Sequence, residues 1–127
     1  MKERLRAGAE YVAALAVVAA VLLATLSVWE PVRVAGLSMS PTLDAGDLVI
    51  VRKHAQPSGG SIALVHVAGH QPVLHRVVSV GQDGAIVTRG DANPVDDRER
   101  ALPSEVAGVV VRVIPAGALL RRWRGAE

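Results

Sequence analysis

The sequence predicts a mainly β fold, a small barrel-like or sandwich-like domain preceded by one N-terminal transmembrane helix. Three observations predict it. Tyr11 to Trp29 contains no charged residue and almost no polar one. After Glu30, short runs of Val, Ile and Leu alternate with Gly, Pro, Asp and Asn, the punctuation of a compact all-β domain. The 127 residues include no Phe, one Tyr and two Trp, so aliphatic and β-branched side chains must fill the core, and these suit strands. That length supports one modest core plus an appendage.

Composition narrows the function classes. There is no cysteine, which excludes disulfides and a Cys-rich zinc site. The net charge is only +2, and no basic helix with interleaved aromatics is present, so nucleic-acid binding is not expected. Basic residues gather at the two ends of the chain, which suits a membrane surface.

Met1 to Arg6 is a short basic start with Lys2, Arg4 and Arg6. The apolar run Tyr11–Trp29 would make a helix roughly 28 Å long, close to the hydrocarbon thickness of a bilayer. It lacks the polar face of a core helix. Its exit, Thr25-Leu26-Ser27-Val28-Trp29, is a poor cleavage site for a removable leader. The basic start places the N-terminus in the cytoplasm and everything after Glu30 outside, with Trp29 at the far interface. Pro31 is expected to end the helix at Glu30.

Strands are then expected at Val32–Val34, Asp47–Lys53, Ser61–Val67, Val73–Val80, Ala85–Thr88 and Val106–Ile114. Asp83-Gly84 marks a hairpin between the fourth and fifth. Arg89 to Arg100 is a polar, acidic loop. The tail from Ala116 is too short to span a bilayer. It is either a frayed end or a surface segment anchored by Trp123. The chain thus divides into residues 1–30, a cytoplasmic start and anchor; 31–115, a β-rich domain; and 116–127, a basic tail.

Chemistry concentrates in three strings. The first is Gly36-Leu37-Ser38-Met39-Ser40-Pro41-Thr42-Leu43-Asp44-Ala45-Gly46-Asp47, in which a serine on a turn becomes a nucleophile only if a base reaches it. Gly36 allows a turn or a close backbone approach. The second is His75-Arg76-Val77, where a histidine inside an apolar strand pays desolvation unless partnered. His66 occupies a similar position and serves as its control, while His54 and His70 lie in or beside loops and Lys53 ends a strand, solvated. The third is Gly90-Asp91-Ala92-Asn93-Pro94-Val95-Asp96-Asp97, whose carboxylates can orient a histidine base. Its spacing is not that of a calcium loop, the four histidines match no standard metal pattern, and no metal or cofactor is expected. Taken singly, each string also reads as ordinary structure: a polar loop, a satisfied strand histidine, a solvated acidic turn.

Together and in this order, the strings resemble the type I signal peptidases of the endoplasmic-reticulum, archaeal and sporulating-bacterial kind, among the S26 serine peptidases. Gly36, Ser38, Met39, Pro41, Thr42, Leu43, Gly46 and Asp47 match the first box. His75-Arg76-Val77 stands where commoner bacterial relatives carry a lysine, and the Gly-Asp-x-Asn-x-x-Asp-Asp string follows. The resemblance implies a coiled β-sheet, Ser38 as nucleophile, His75 as general base and Asp97 as the acid, with Asp91, Gly36 and Met39 in support. Asp96 is left structural. It also implies preprotein signal peptides, the lipid bilayer and export machinery as partners. Ala92 replaces a frequent Asn, and the arginine-rich tail stands where many members carry a second apolar helix, so a single span is expected.

On this reading the chain is a membrane-anchored serine endopeptidase removing N-terminal signal peptides from exported preproteins. A histidine base implies activity lost below about pH 6.5, where a free imidazole is protonated. The alternative from another class is a non-catalytic membrane-tethered β domain that binds exported or partner proteins, which has no need of serine, histidine and aspartate together. A serine–lysine self-cleaving regulator would require a lysine base and a DNA-binding segment, and neither is present.

Overall fold

The computed structural model describes residues 1–125. A helix α1, Lys2–Val28, runs directly into β1, Trp29–Arg33. The strands β2 (Leu48–Lys53), β3 (Ile62–Val65), β4 (Val73–Val80), β5 (Ile86–Arg89) and β6 (Val106–Ile114) follow, and a helix α2, Ala116–Arg124, closes the chain. All strands form one antiparallel sheet in the order β1-β2-β6-β3-β4-β5. The mainly β expectation holds.

No residue of α1 is buried. The helix is long and apolar enough to cross a membrane, where lipid would cover side chains that water would not. Its two aliphatic hydroxyls bond the helix's own backbone: Thr25 donates to the Val21 carbonyl at 2.8 Å and Ser27 to that of Ala24 at 2.7 Å. The helix ends earlier than Pro31 alone would dictate, because Trp29 is already extended at φ −118 and ψ 137. Pro31 instead sits within β1, paired with Ile50. An edge strand tolerates its missing N–H. Lys53 is not simply solvated: its ammonium donates to the Leu26 carbonyl at 2.8 Å, satisfying one of the orphan acceptors at the end of α1. Arg52 lies 5.9 Å from the centre of the Trp29 ring, so the junction is tied from two directions.

β1 and β2 are joined by an excursion from Val34 to Asp47 rather than a tight turn. Its ends are pinched by Val34 N–H to Asp47 C=O at 2.8 Å and Gly46 N–H to Val34 C=O at 2.7 Å. Val34, Met39 and Leu43 of this loop are buried with Val49, Val51, Ile62 and Leu64. The loop therefore covers one face of the sheet as a helix would in another fold. On the opposite face Ala63, Val65, Val77 and Ile86 bury with Ala101, which comes from the segment after the acidic loop. β3 is buried on both faces along its length, and it stops at Val65, so His66 lies outside it and is exposed. β4 and β5 meet through a turn with Gly84 at φ 79, the positive value that the Asp-Gly pair predicts. Their pairing starts at Arg76 and Arg89, which leaves Val73, Leu74 and His75 of β4 without a strand on that side.

The tail is not a frayed end over Ala116–Arg124, which forms α2. It is a helix fastened to the loop by the Gly117 N–H, which donates to the buried Asp47 carboxylate at 3.0 Å. Asp47 also accepts the Asp44 N–H at 2.9 Å. Gly117 has no room for a side chain, because a Cβ there would stand 2.5 Å from the Ala45 carbonyl oxygen.

Candidate active site

The open edge of β4 is where the three strings meet. Ser38 lies in a turn that continues through Met39–Leu43, with Ser40 N–H to Leu37 C=O at 3.0 Å and Leu43 N–H to Met39 C=O at 2.9 Å. Met39, 1% exposed, anchors that turn in the core, so Ser38 is pointed by its neighbour's burial. The Ser38 hydroxyl stands 3.2 Å from His75 Nε2, and His75 Nδ1 stands 2.5 Å from Asp97 Oδ2. Only 12% of the His75 side chain is exposed. With Nδ1–H donated to a carboxylate, Nε2 carries a lone pair toward the hydroxyl, the tautomer needed to take its proton.

Asp97 is itself held twice by Thr88. The Thr88 hydroxyl donates to Oδ2 at 2.7 Å, and the Asp97 N–H donates to the Thr88 carbonyl at 2.8 Å. Thr88 is buried on β5, so a rigid strand positions the carboxylate.

Asp91 takes a different position. Arg76 Nε donates to its Oδ1 at 2.8 Å and Arg76 Nη2 to its Oδ2 at 2.7 Å, a bidentate pair. Thr42 donates to Oδ2 at 2.6 Å. The Arg76 hydrogen bonds, opposed by desolvation and helped by Thr42, hold the Asp91 carboxyl at about 2 instead of 3.8. The bond to Asp91 in turn raises Arg76 above its ordinary value. Arg76 also donates to the Gly60 carbonyl at 2.8 Å. Asp91 thus ties the serine loop, through Thr42, to β4, and Asp97 is the carboxylate against His75. A second tie is the Ala92 N–H, donated to the Ser38 carbonyl at 2.8 Å. Gly90 permits this approach, since a Cβ there would lie 2.6 Å from the Ser38 carbonyl oxygen.

Sequence reasoning missed Thr88, Thr42 and the role of Arg76 as a clamp. Arg76 adjoins His75 on an apolar strand, which was the available signal. Nothing local marks either threonine. Gly36 is exposed, with no atom within 4 Å of a would-be Cβ and no positive φ, so the fold itself does not demand a turn residue there. Its open space lies over a groove of about 280 Å³ lined by Ala35, Gly36, Ser38, Leu64, Val73 and Leu74 among others. Among the described residues the Ser38 N–H donates to no protein acceptor. Asp96 is exposed and lies 3.7 Å from Arg89. His54, His66 and His70 are exposed and away from these contacts. Among the described residues no cluster of three His, Cys, Asp or Glu side chains is placed to hold a metal ion.

The arrangement can activate a hydroxyl for attack on a carbonyl beside an apolar groove. Comparison with known proteins points the same way. The family described as signal peptidase, peptidase S26, matches residues 8–105. The signal peptidase complex catalytic subunit SEC11 of Chaetomium globosum is 35% identical over 69 residues, which cover 49% of this chain and 40% of that protein. The chain therefore spans about two fifths of that relative's length.

Proposed function

The chain belongs to the signal peptidase family, peptidase S26, and we propose that it is a membrane-anchored serine endopeptidase that removes N-terminal signal peptides from exported preproteins. The observation that carries this reading is the continuous contact from Ser38 through His75 to Asp97. His75 Nε2 accepts the Ser38 proton as Oγ attacks the scissile carbonyl. Asp97 keeps the imidazole oriented and stabilises its protonated form. The tetrahedral oxyanion takes the free Ser38 N–H. His75 then gives its proton to the departing amine, leaving an ester on Ser38. Water, deprotonated by His75, hydrolyses that ester and restores the hydroxyl.

The groove supports a preference for small residues before the cut. It is small, about 280 Å³, and walled largely by aliphatic side chains and by Gly36, so an extended chain can lie against residues 34–36 with small side chains turned inward. Anchoring is part of the reaction. Enzyme and preprotein share one bilayer through their apolar helices, which raises the effective concentration of one for the other. Lys2, Arg4 and Arg6 before the span favour a cytoplasmic N-terminus in a cell membrane, with the sheet outside. The SEC11 relative is named as a subunit of a complex, and partners in the export machinery are proposed on that ground.

The test is cleavage of a preprotein in proteoliposomes by wild type beside Ser38→Ala. A cut after a small residue by wild type alone supports the reading. Equal cleavage by both proteins overturns Ser38 as nucleophile, and a cut elsewhere in the chain overturns the substrate class.

A further inference from the structure

α2 turns an apolar face away from the protein. Gly117, Leu120, Arg121 and Arg124 follow helical spacing on one face. Gly117 is buried against the serine loop, and the other three line a cavity of about 490 Å³ together with Arg33 and Val34. The opposite face carries Leu119 and Trp123, one turn apart and 57% and 82% exposed. Val113 and Ile114, just before the helix, are also exposed. Among the described residues Arg33, Arg122 and Arg124 make no ion pair, while Arg121 is 2.9 Å from Asp44.

A Trp–Leu stripe flanked by Arg122, which has no ion-pair partner among the described residues, matches the chemistry of an anionic lipid surface. Trp favours the headgroup region, and the guanidinium group binds phosphate with two donors. The proposed membrane is close. α1 enters β1 without a linker, and Arg33 ends that five-residue strand, about 13 Å from Trp29 at strand rise. Arg33 pairs with Leu48, which pairs with Ile114 at the start of the turn into α2.

We propose that α2 is a second membrane contact, in which Leu119 and Trp123 enter the headgroup region of an anionic leaflet while Arg122 binds lipid phosphate. This rests on the reading of α1 as the membrane anchor. α1 holds the sheet at one corner, and a second contact at α2 fixes its tilt against the bilayer. The arginine-lined cavity and the groove beside Ser38 share Arg33, Val34 and Ala35. A lipid contact at α2 therefore sets the height of the groove above the bilayer.

The chain's two tryptophans provide separate reporters. Trp29→Phe leaves Trp123 as the sole fluorophore, and Trp123→Phe leaves Trp29. Each form is reconstituted in phosphatidylcholine vesicles, with or without phosphatidylglycerol, carrying brominated lipid, and vesicle flotation is followed in parallel. In anionic vesicles Trp123 shifts to the blue and loses about half or more of its emission. That loss is smaller in neutral vesicles, and the Arg122→Glu substitution abolishes the difference. Equal quenching in both lipids overturns the anionic recognition. Trp123 left unquenched while Trp29 is quenched overturns the contact with the anchor intact. The same holds if Trp123 is unquenched yet blue-shifted in detergent as well as lipid, which identifies a protein occupant. Failure to float, with neither tryptophan quenched, overturns the anchor reading and this contact with it.

Discussion

Asp97 Oδ2 accepts two hydrogen bonds, from His75 and from the Thr88 hydroxyl. Thr88→Val keeps the backbone bond to Asp97 and the shape of the side chain but removes one donor. A bond to a charged group contributes about 1.5–3 kcal/mol, so kcat should fall roughly tenfold to a hundredfold, with KM little changed in preprotein cleavage kinetics. His75→Ala should abolish turnover, whereas His66→Ala, on an exposed residue outside β3, should leave it unchanged. Activity in both variants, or loss in His66→Ala, contradicts the assignment. The contrast between these histidines was only half legible in the sequence. His75 stands inside an apolar strand, but His66 looked equivalent until β3 ended at Val65. The third string offered Asp91 and Asp97 as carboxylates; Arg76 claims the first and leaves the second for His75. Thr42 was illegible because its carboxylate lies 49 residues away, and Thr88, only 9 residues from Asp97, because no local pattern shows the acidic loop folding back on β5.

At the scale of elements, strands were legible because β-branched runs bounded by Gly, Pro and Asp leave few alternatives. β4 and β6 fall where the pattern puts them, Val73–Val80 and Val106–Ile114. The helix boundary was misjudged by two residues, since the Trp29 and Glu30 pairing with β2 overrides the local preference before Pro31. The tail was undecidable locally. α2 depends on Gly117 meeting Asp47, a contact 70 residues apart in sequence. Gly117→Ala tests that dependence. Helix propensity alone favours Ala by about 0.5–1 kcal/mol, but the new Cβ would stand 2.5 Å from the Ala45 carbonyl oxygen and 2.9 Å from Asp47 Oδ1. Overpacking of this kind costs about 1–3 kcal/mol, so urea unfolding should show net destabilisation. Gly36→Ala meets no atom within 4 Å and should leave stability unchanged; a stabilising Gly117→Ala would contradict the docking of α2.

At the scale of the molecule, two loops replace helices as covers of a single sheet, and the same loops carry Ser38 and Asp97. The Asp91–Arg76 pair couples the serine loop to β4 through Thr42. Asp91 is held at about 2, below its ordinary 3.8. Its contribution is therefore present above about pH 4 and is lost as the pH falls through the folded value. For this partly exposed pair it is on the order of 1 kcal/mol. Acid unfolding followed by circular dichroism should lose its steepest decrement between about pH 4 and 2 in Arg76→Gln; an identical acid profile contradicts the coupling. The central claim is that a preprotein acylates Ser38 with His75 as base. The direct measurement is acid quenching of enzyme mixed with preprotein, followed by digestion and mass spectrometry of the peptide containing Ser38. The account predicts a signal-peptide fragment esterified to Ser38 in wild type and none in His75→Ala. An adduct on Ser40, or an adduct on Ser38 formed equally well without His75, would contradict it.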